Sequence, residues 1–214
     1  MADKAPLRTI TVPGEGRVSV RPDLAELRVG ISLTEETVQA ARTAGAVALD
    51  SILSRLRTLG VKDRDIQTSV VSMTPAYDYS DRNPPRLVGY ALTNTVSVTI
   101  RDLERVGDVI DGALTSGATT MDSIGFRVAR PGPAQREARE KAVEDARARA
   151  ETLAATAGVE VGDVLAISEG GAAPSPFESY PAVRQMSMAK DVSTPVEAGM
   201  TEISVDVTVT FAIR

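Results

Sequence analysis

The 214 residues carry 24 basic and 29 acidic side chains of mixed order and are 43% hydrophobic, a balance that suits a soluble globular chain and excludes the basic footprint of a nucleic-acid binder. There is no Cys and no His, which excludes disulfides, thiolate chemistry, Ser-His and Cys-His nucleophile pairs and the commonest nitrogen ligand of zinc or iron. With four Tyr, three Phe and no Trp, the core has to be built from Val, Ile, Leu and Ala, as β-branched strands packed on Ala-rich helices.

The first elements are strands. Thr9 to Val12 and Arg17 to Val20 read as a pair joined by a turn at Pro13-Gly14-Glu15-Gly16, and Pro22-Asp23 breaks the chain before Leu24 to Leu33. In that run Leu27, Val29, Ile31 and Leu33 share one face, and Glu26, Arg28 and Ser32 make the other a wet one. The period then changes, because Val38, Ala41, Ala44, Ala48, Ile52, Leu56 and Leu59 recur at three- and four-residue spacing. This predicts an amphipathic helix with Thr34 as N-cap, Gly60 just past its end and Val61 closing a Schellman-type apolar contact.

Ile66 to Met73 and Tyr90 to Ile100 are expected to form a strand pair around a polar, Pro-rich insertion from Pro75 to Pro85. A second helix is expected from Leu103 to Ser116, capped by Asp102 and ended by Gly117, followed by a strand from Ser123 to Ala129. Pro131-Gly132-Pro133 opens a long third helix with a narrow stripe of Ala138, Ala142, Ala146, Ala150, Leu153 and Ala157, ended by Gly158. Such a stripe is either an ordinary core face or a seam against the same helix of another subunit. Strands are expected at Val161 to Glu169 and Met200 to Ile213, the second alternating Ile203, Val205, Val207, Val209 and Phe211. The segment 170–198 between them reads as a long loop, a length that belongs to functional or disordered segments.

These elements add up to an α+β fold, antiparallel sheets packed against two amphipathic helices plus one long Ala-rich helix. Residues 1–8 are expected to be a tail and 9–214 a single domain, with two lobes of about 9–130 and 131–214 as its internal division. MADKAPLRTI has no apolar h-region and no stretch approaches the roughly 18 apolar residues of a membrane span. Neither a signal peptide nor a transmembrane segment is therefore expected in the chain as given, which keeps a cytoplasmic location open.

The motifs resemble the SIMPL family, a domain of unknown function widespread in bacteria. The likeness is carried by Ile10-Thr11-Val12-Pro13-Gly14-Glu15-Gly16 with Val20-Arg21-Pro22-Asp23-Leu24-Ala25, and by Leu59-Gly60-Val61 with Asp65-Ile66-Gln67-Thr68. It continues through Gly89-Tyr90, Val98 to Leu103 with Val106-Gly107, Lys141-Ala142-Val143-Glu144-Asp145-Ala146-Arg147 and Thr194-Pro195-Val196-Glu197. What the resemblance implies is an α+β fold, homo-oligomers, and export to the periplasm or cell envelope with links to stress tolerance. It brings no catalytic residues with it.

The candidate sites are few. Pro13-Gly14-Glu15-Gly16 is not a phosphate loop, since a strand rather than a helix follows it. Asp78, Asp81 and Asn83 offer oxygen ligands without the Gly and distal Glu of a calcium loop, so a solvated turn is expected. Asp108 and Asp111 lie at i,i+3 on a polar helix side with no apolar pocket to raise a pKa. The charged helix face of Arg136 to Glu151, with Glu137 and Lys141 and with Asp145 and Arg149 at i,i+4, reads as solvated surface. Phe177, Tyr180, Met186 and Met188 on the long loop are the assembly contacts of choice, because Met and aromatics on a Pro-rich loop suit adaptable contact. The leading expectation is thus a non-enzymatic homo-oligomeric scaffold with no cofactor or metal. The alternative is a binding module for a small apolar ligand or a peptide, with an unidentified protein or peptide as partner.

Overall fold

The structure, a computed structural model, describes residues 8–80, 84–170 and 194–214. Among them lie seven strands, β1 (Thr9–Val20), β2 (Leu24–Glu35), β3 (Ile66–Asp78), β4 (Arg86–Ile100), β5 (Thr120–Arg127), β6 (Val161–Gly170) and β7 (Thr201–Ile213). Three helices join them, α1 (Val38–Thr58), α2 (Val106–Thr115) and α3 (Gly132–Ala157). All strand pairs are antiparallel, in one sheet of order β1-β7-β6 and one of order β3-β4-β2-β5. The fold is α+β, as the alternation of two-residue and 3.6-residue periods demands. The chain divides into two compact units, one from residues 8–21, 128–170 and 199–214, the other from 22–80, 84–127 and 194–198.

In the three-stranded unit the expected turn at Pro13–Gly16 is instead the middle of one continuous strand. β1 pairs with β7 without a break from Thr9 opposite Ala212 to Val20 opposite Thr201. Pro13 is tolerated because β1 is an edge strand, where a missing N–H need not cost a ladder bond. The glycines are there for α3. Val12, Gly14, Gly16 and Val18 form the buried face of β1, and a Cβ on Gly14 would stand 2.1 Å from the Ala142 carbonyl oxygen, one on Gly16 1.8 Å from that of Ala138. Helix backbone lies directly on strand backbone.

The Ala stripe is therefore a core face. Ala138, Ala142, Ala146, Ala150 and Ala154 are buried, whereas Leu153 is 52% exposed and Ala157 is exposed too, which corrects the last two members of the expected stripe. A row repeating every fourth residue runs obliquely to the helix axis, and α3 keeps to that row to its end. Val12, Val18, Val205, Val207, Val209 and Phe211 complete this core. Gly158 adopts φ 72°, with the Val159 amide donating to the Ala154 carbonyl at 3.0 Å, so α3 ends in a Schellman motif.

In the four-stranded unit β2 buries Leu27, Val29 and Ile31 on the expected face. α1 is capped by Thr37, whose hydroxyl accepts from the Ala40 amide at 3.1 Å. Thr34, the expected cap, and Glu35 instead extend β2 in register with Ala91 and Tyr90 of β4. The C-terminal reading holds in detail: Gly60 has φ 89°, the Val61 amide donates to the Leu56 carbonyl and the Gly60 amide to that of Arg57. Gly45 sits in the buried stripe of α1 because a Cβ there would meet Leu92 Cδ2 at 2.2 Å. The Asp102 carboxylate caps a short 3-10 turn, Leu103–Arg105, that leads into α2.

The first four residues of the expected Pro75–Pro85 insertion are strand. β3 runs on to Asp78 and β4 begins at Arg86, with Pro75 opposite Tyr90 and Tyr77 opposite Leu87. Pro75 again lies on an edge strand, and Tyr, Leu and Val around it favour a pleated ribbon over a loop. β5 starts at Thr120, three residues before its expected start and ends at Arg127. The core of this unit gathers Leu27, Val29, Ile31, Ile52, Leu56, Val96, Val98, Val106 and Val109 with their neighbours.

Candidate functional site

Phe177, Tyr180, Met186 and Met188 lie outside the described residues, as do Asp81 and Asn83. What is described of the long loop is its last stretch. There the Thr194 amide donates to Asp111 Oδ2 at 3.0 Å and its hydroxyl to Asp111 Oδ1 at 2.6 Å, while Val196 packs against the core of the same unit. Asp111 thus holds the incoming chain. Asp78 accepts from the amide and the hydroxyl of Ser80 at 2.9 and 2.6 Å in a local turn. Among the described residues no group of three acidic side chains could hold a metal ion, and no helix is long and apolar enough to cross a membrane.

On α3, Lys141 pairs with Glu137 and Arg149 with Asp145, each at 2.8 Å. Asp145 does more than face solvent, because Oδ2 also accepts the Glu15 amide of β1 at 2.9 Å. That bond, aided by Arg149, holds its carboxyl below the ordinary carboxylate range. A group with a lowered folded pKa stabilises fully above its unfolded value of about 3.9, and the contribution is lost as pH falls through the folded value. Asp145→Asn should therefore cost about 1 kcal/mol at neutral pH, and the gap to wild type should narrow in denaturation curves as pH falls below the ordinary carboxylate range.

The least satisfied surfaces are the outer strands. β6 borders the β1-β7-β6 sheet and is touched only lightly by α3, which packs mainly on β1 and β7, and every β6 residue from Asp163 to Gly170 is exposed. Val164, Leu165 and Ile167 are exposed accordingly, Ile167 by 54%. The acids at the ends of β6 are already engaged, Glu169 by Arg139 at 3.0 Å and Asp163 by Arg214 at 3.4 Å. β3 borders the other sheet, outside the pairing of α1 with β2 and β4. Its register is unbroken from Val70 to Ala76, and Val71, Tyr77, Leu87 and Val88 are exposed on this hairpin, Val71 by 65%. Tyr77 and Tyr79 meet edge to face with centroids 6.3 Å apart.

The family comparison matches nearly the whole of this architecture: the model of SIMPL, described as a protein of unknown function (DUF541), covers residues 10–211. The chain belongs to the SIMPL family. Its relatives include a 26 kDa periplasmic immunogenic protein of Brucella melitensis, 34% identical over 96% of this chain and 84% of that protein. An uncharacterized protein, YggE, of Escherichia coli is 28% identical over 88% of this chain and 74% of its own. In this SIMPL chain the motif Thr194-Pro195-Val196-Glu197 is the tether to α2, and Pro13-Gly14-Glu15-Gly16 is the seat of α3. Neither role could be read locally, since each depends on a partner far away in the chain. The β3 and β6 edges were legible only as strands.

Proposed function

We propose that this SIMPL protein is a non-enzymatic homo-oligomeric scaffold of the bacterial cell envelope, joined through its strand edges with help from the 170–198 segment. The reading rests on one observation: both sheets end in outer strands with uncharged stretches, Val70 to Thr74, exposed but for the half-buried Met73, and Val164 to Ile167, exposed throughout. An edge strand carries a row of backbone donors and acceptors without strand partners, and soluble proteins ordinarily blunt such edges with Lys or Pro, or cover them. On β3, Pro75 and the bulges at Thr68/Val70 and Ala76/Tyr77 lie at or beyond the limits of the stretch, whereas on β6 the shift between Val164 and Ala166 falls inside it and leaves Ala166 to Gly170 in unbroken register. A second copy is the natural cover, since strand addition supplies the backbone bonds and the exposed Val, Leu and Ile supply area. The absence of Cys and His supports a non-enzymatic role, and the name of the Brucella relative supports a periplasmic one.

Light scattering on the purified chain tests this. The wild type is expected to run as a defined oligomer, and Ile167→Lys, Val71→Lys or deletion of residues 172–192 to lower its mass. A wild-type monomer at high concentration would overturn the proposal.

A further inference from the structure

Within the four-stranded unit, the turn after α1 and the β4–α2 connection enclose a cleft of about 190 Å³ open to solvent, room for about six water molecules at liquid density. Leu59, Val61, Ile100 and Val109 supply apolar walls, and Lys62, Asp65, Arg101, Asp102 and Arg105 the polar groups. The charges are not balanced. Asp65, its side chain only 6% exposed, is held by Arg101, with Nη2 donating to Oδ1 at 2.6 Å and Nε to both oxygens at 3.2 Å. The Asp102 carboxylate is turned to the Glu104 amide as a cap, at 3.2 Å. Lys62 and Arg105 form no ion pair among the described residues.

Arg105 is half-buried, and its guanidinium crosses to the α1 turn, where Nη1 would stand 3.3 Å from a Cβ on Gly60. A partly desolvated guanidinium without a carboxylate is an open fork for an anion. Arg101 is committed to Asp65 through Nε and Nη2 and, though 52% exposed, leaves Arg105 and Lys62 as the groups for an incoming anion. Three cations against two carboxylates leave a single positive charge in a chain whose formal net charge is −5.

We infer that this cleft is a binding site for a small organic carboxylate, a monoanion whose carboxylate is held by Arg105 and Lys62 and whose short alkyl tail lies on Leu59, Val61, Ile100 and Val109. The single excess charge disfavours a dianion, and the apolar walls favour a tail over a bare inorganic ion. The inference stands whether or not copies associate, for it uses neither the β3 nor the β6 edge.

The test is a titration of the full chain with 3-methylbutanoate, a probe of about seven non-hydrogen atoms and hence of millimolar affinity, followed by the amide resonances of residues 59–62 and 99–105. Saturable shifts are expected there, weakened about tenfold in Arg105→Gln and in Lys62→Gln and unchanged in Arg139→Gln. The neutral amide of the same acid is expected to leave these resonances in place, and inorganic phosphate to bind more weakly. No saturable shift, an equal response to the amide, phosphate binding as tight as the acid, or wild-type affinity in both cleft variants would each overturn the assignment. The amide spectrum of each variant reports whether it is folded, and Lys62, exposed on its turn, provides the second variant should Arg105→Gln unfold.

Discussion

Gly16→Ala is expected to unfold the three-stranded unit, while Gly125→Ala leaves the protein as stable as the wild type or slightly more so. Both glycines lie in strands, and at both the added methyl removes backbone freedom from the unfolded chain, a gain of about 0.4–1 kcal/mol where the native backbone accepts it. What separates them is what the methyl meets. Around Gly125 a Cβ finds nothing within 4 Å, whereas on Gly16 it falls 1.8 Å from the Ala138 carbonyl oxygen and 2.6 Å from the Ala142 amide nitrogen. Those atoms belong to helix backbone and cannot rotate aside as a side chain would. Relief would require α3 to lift from β1, surrendering the burial of Ala138, Ala142 and Ala146 together with the Glu15 to Asp145 bond. The expected cost exceeds the 1–3 kcal/mol usual for overpacking, at about 4 kcal/mol or more. Chemical denaturation of the two variants checks this, and a Gly16→Ala protein within about 1 kcal/mol of wild type would show that α3 does not sit on β1 as described.

This comparison also explains which parts of the fold could be read in the sequence. Periodicity placed α1, α2 and α3, and Gly60, Gly117 and Gly158 marked helix ends, because a helix and its Schellman closure are governed by neighbours a few residues away. Pro13-Gly14-Glu15-Gly16 carried the same local signal as a turn. Its outcome was decided by a helix that begins at Gly132 and by a strand at the C-terminal end of the chain, neither of which leaves a trace in the local pattern. Pro75 was misread for the same reason, since an edge position is a property of the sheet and not of the segment. The cleft between α1 and α2 was equally hidden: Lys62 and Arg105 are unremarkable surface cations until Gly60 lets the α1 turn approach the start of α2. The contact of Asp111 with Thr194 was hidden as well, because it depends on a residue 83 positions away.

Phe211→Ala should produce the second large effect, about 3–5 kcal/mol of lost stability. Phe211 is the largest fully buried side chain among the described residues, 1% exposed, in a core whose other buried members are Val and Ala. The cost of a cavity depends on how far the neighbours can close in, and here they can move little. The alanines of this core are carried by α3, whose backbone already rests on Gly14 and Gly16, so the helix cannot close in on the space, and Ile10, opposite Phe211 on β1, can fill only part of it. Arg147 also stands over the ring, 5.8 Å from its centroid, and loses that contact. Phe211→Leu, which keeps most of the volume, should cost less than about 1.5 kcal/mol. Because the core holding Phe211 is separate from that of the four-stranded unit, the loss should be local in hydrogen exchange. Amides of β1, β7 and α3 are expected to exchange faster while those of β2, β4 and α1 keep their protection. Equal loss of protection in both sets would mean that the two cores unfold as one cooperative body, and the unit boundaries at Arg21 and Arg127 would then mark a change of packing without a change of cooperativity.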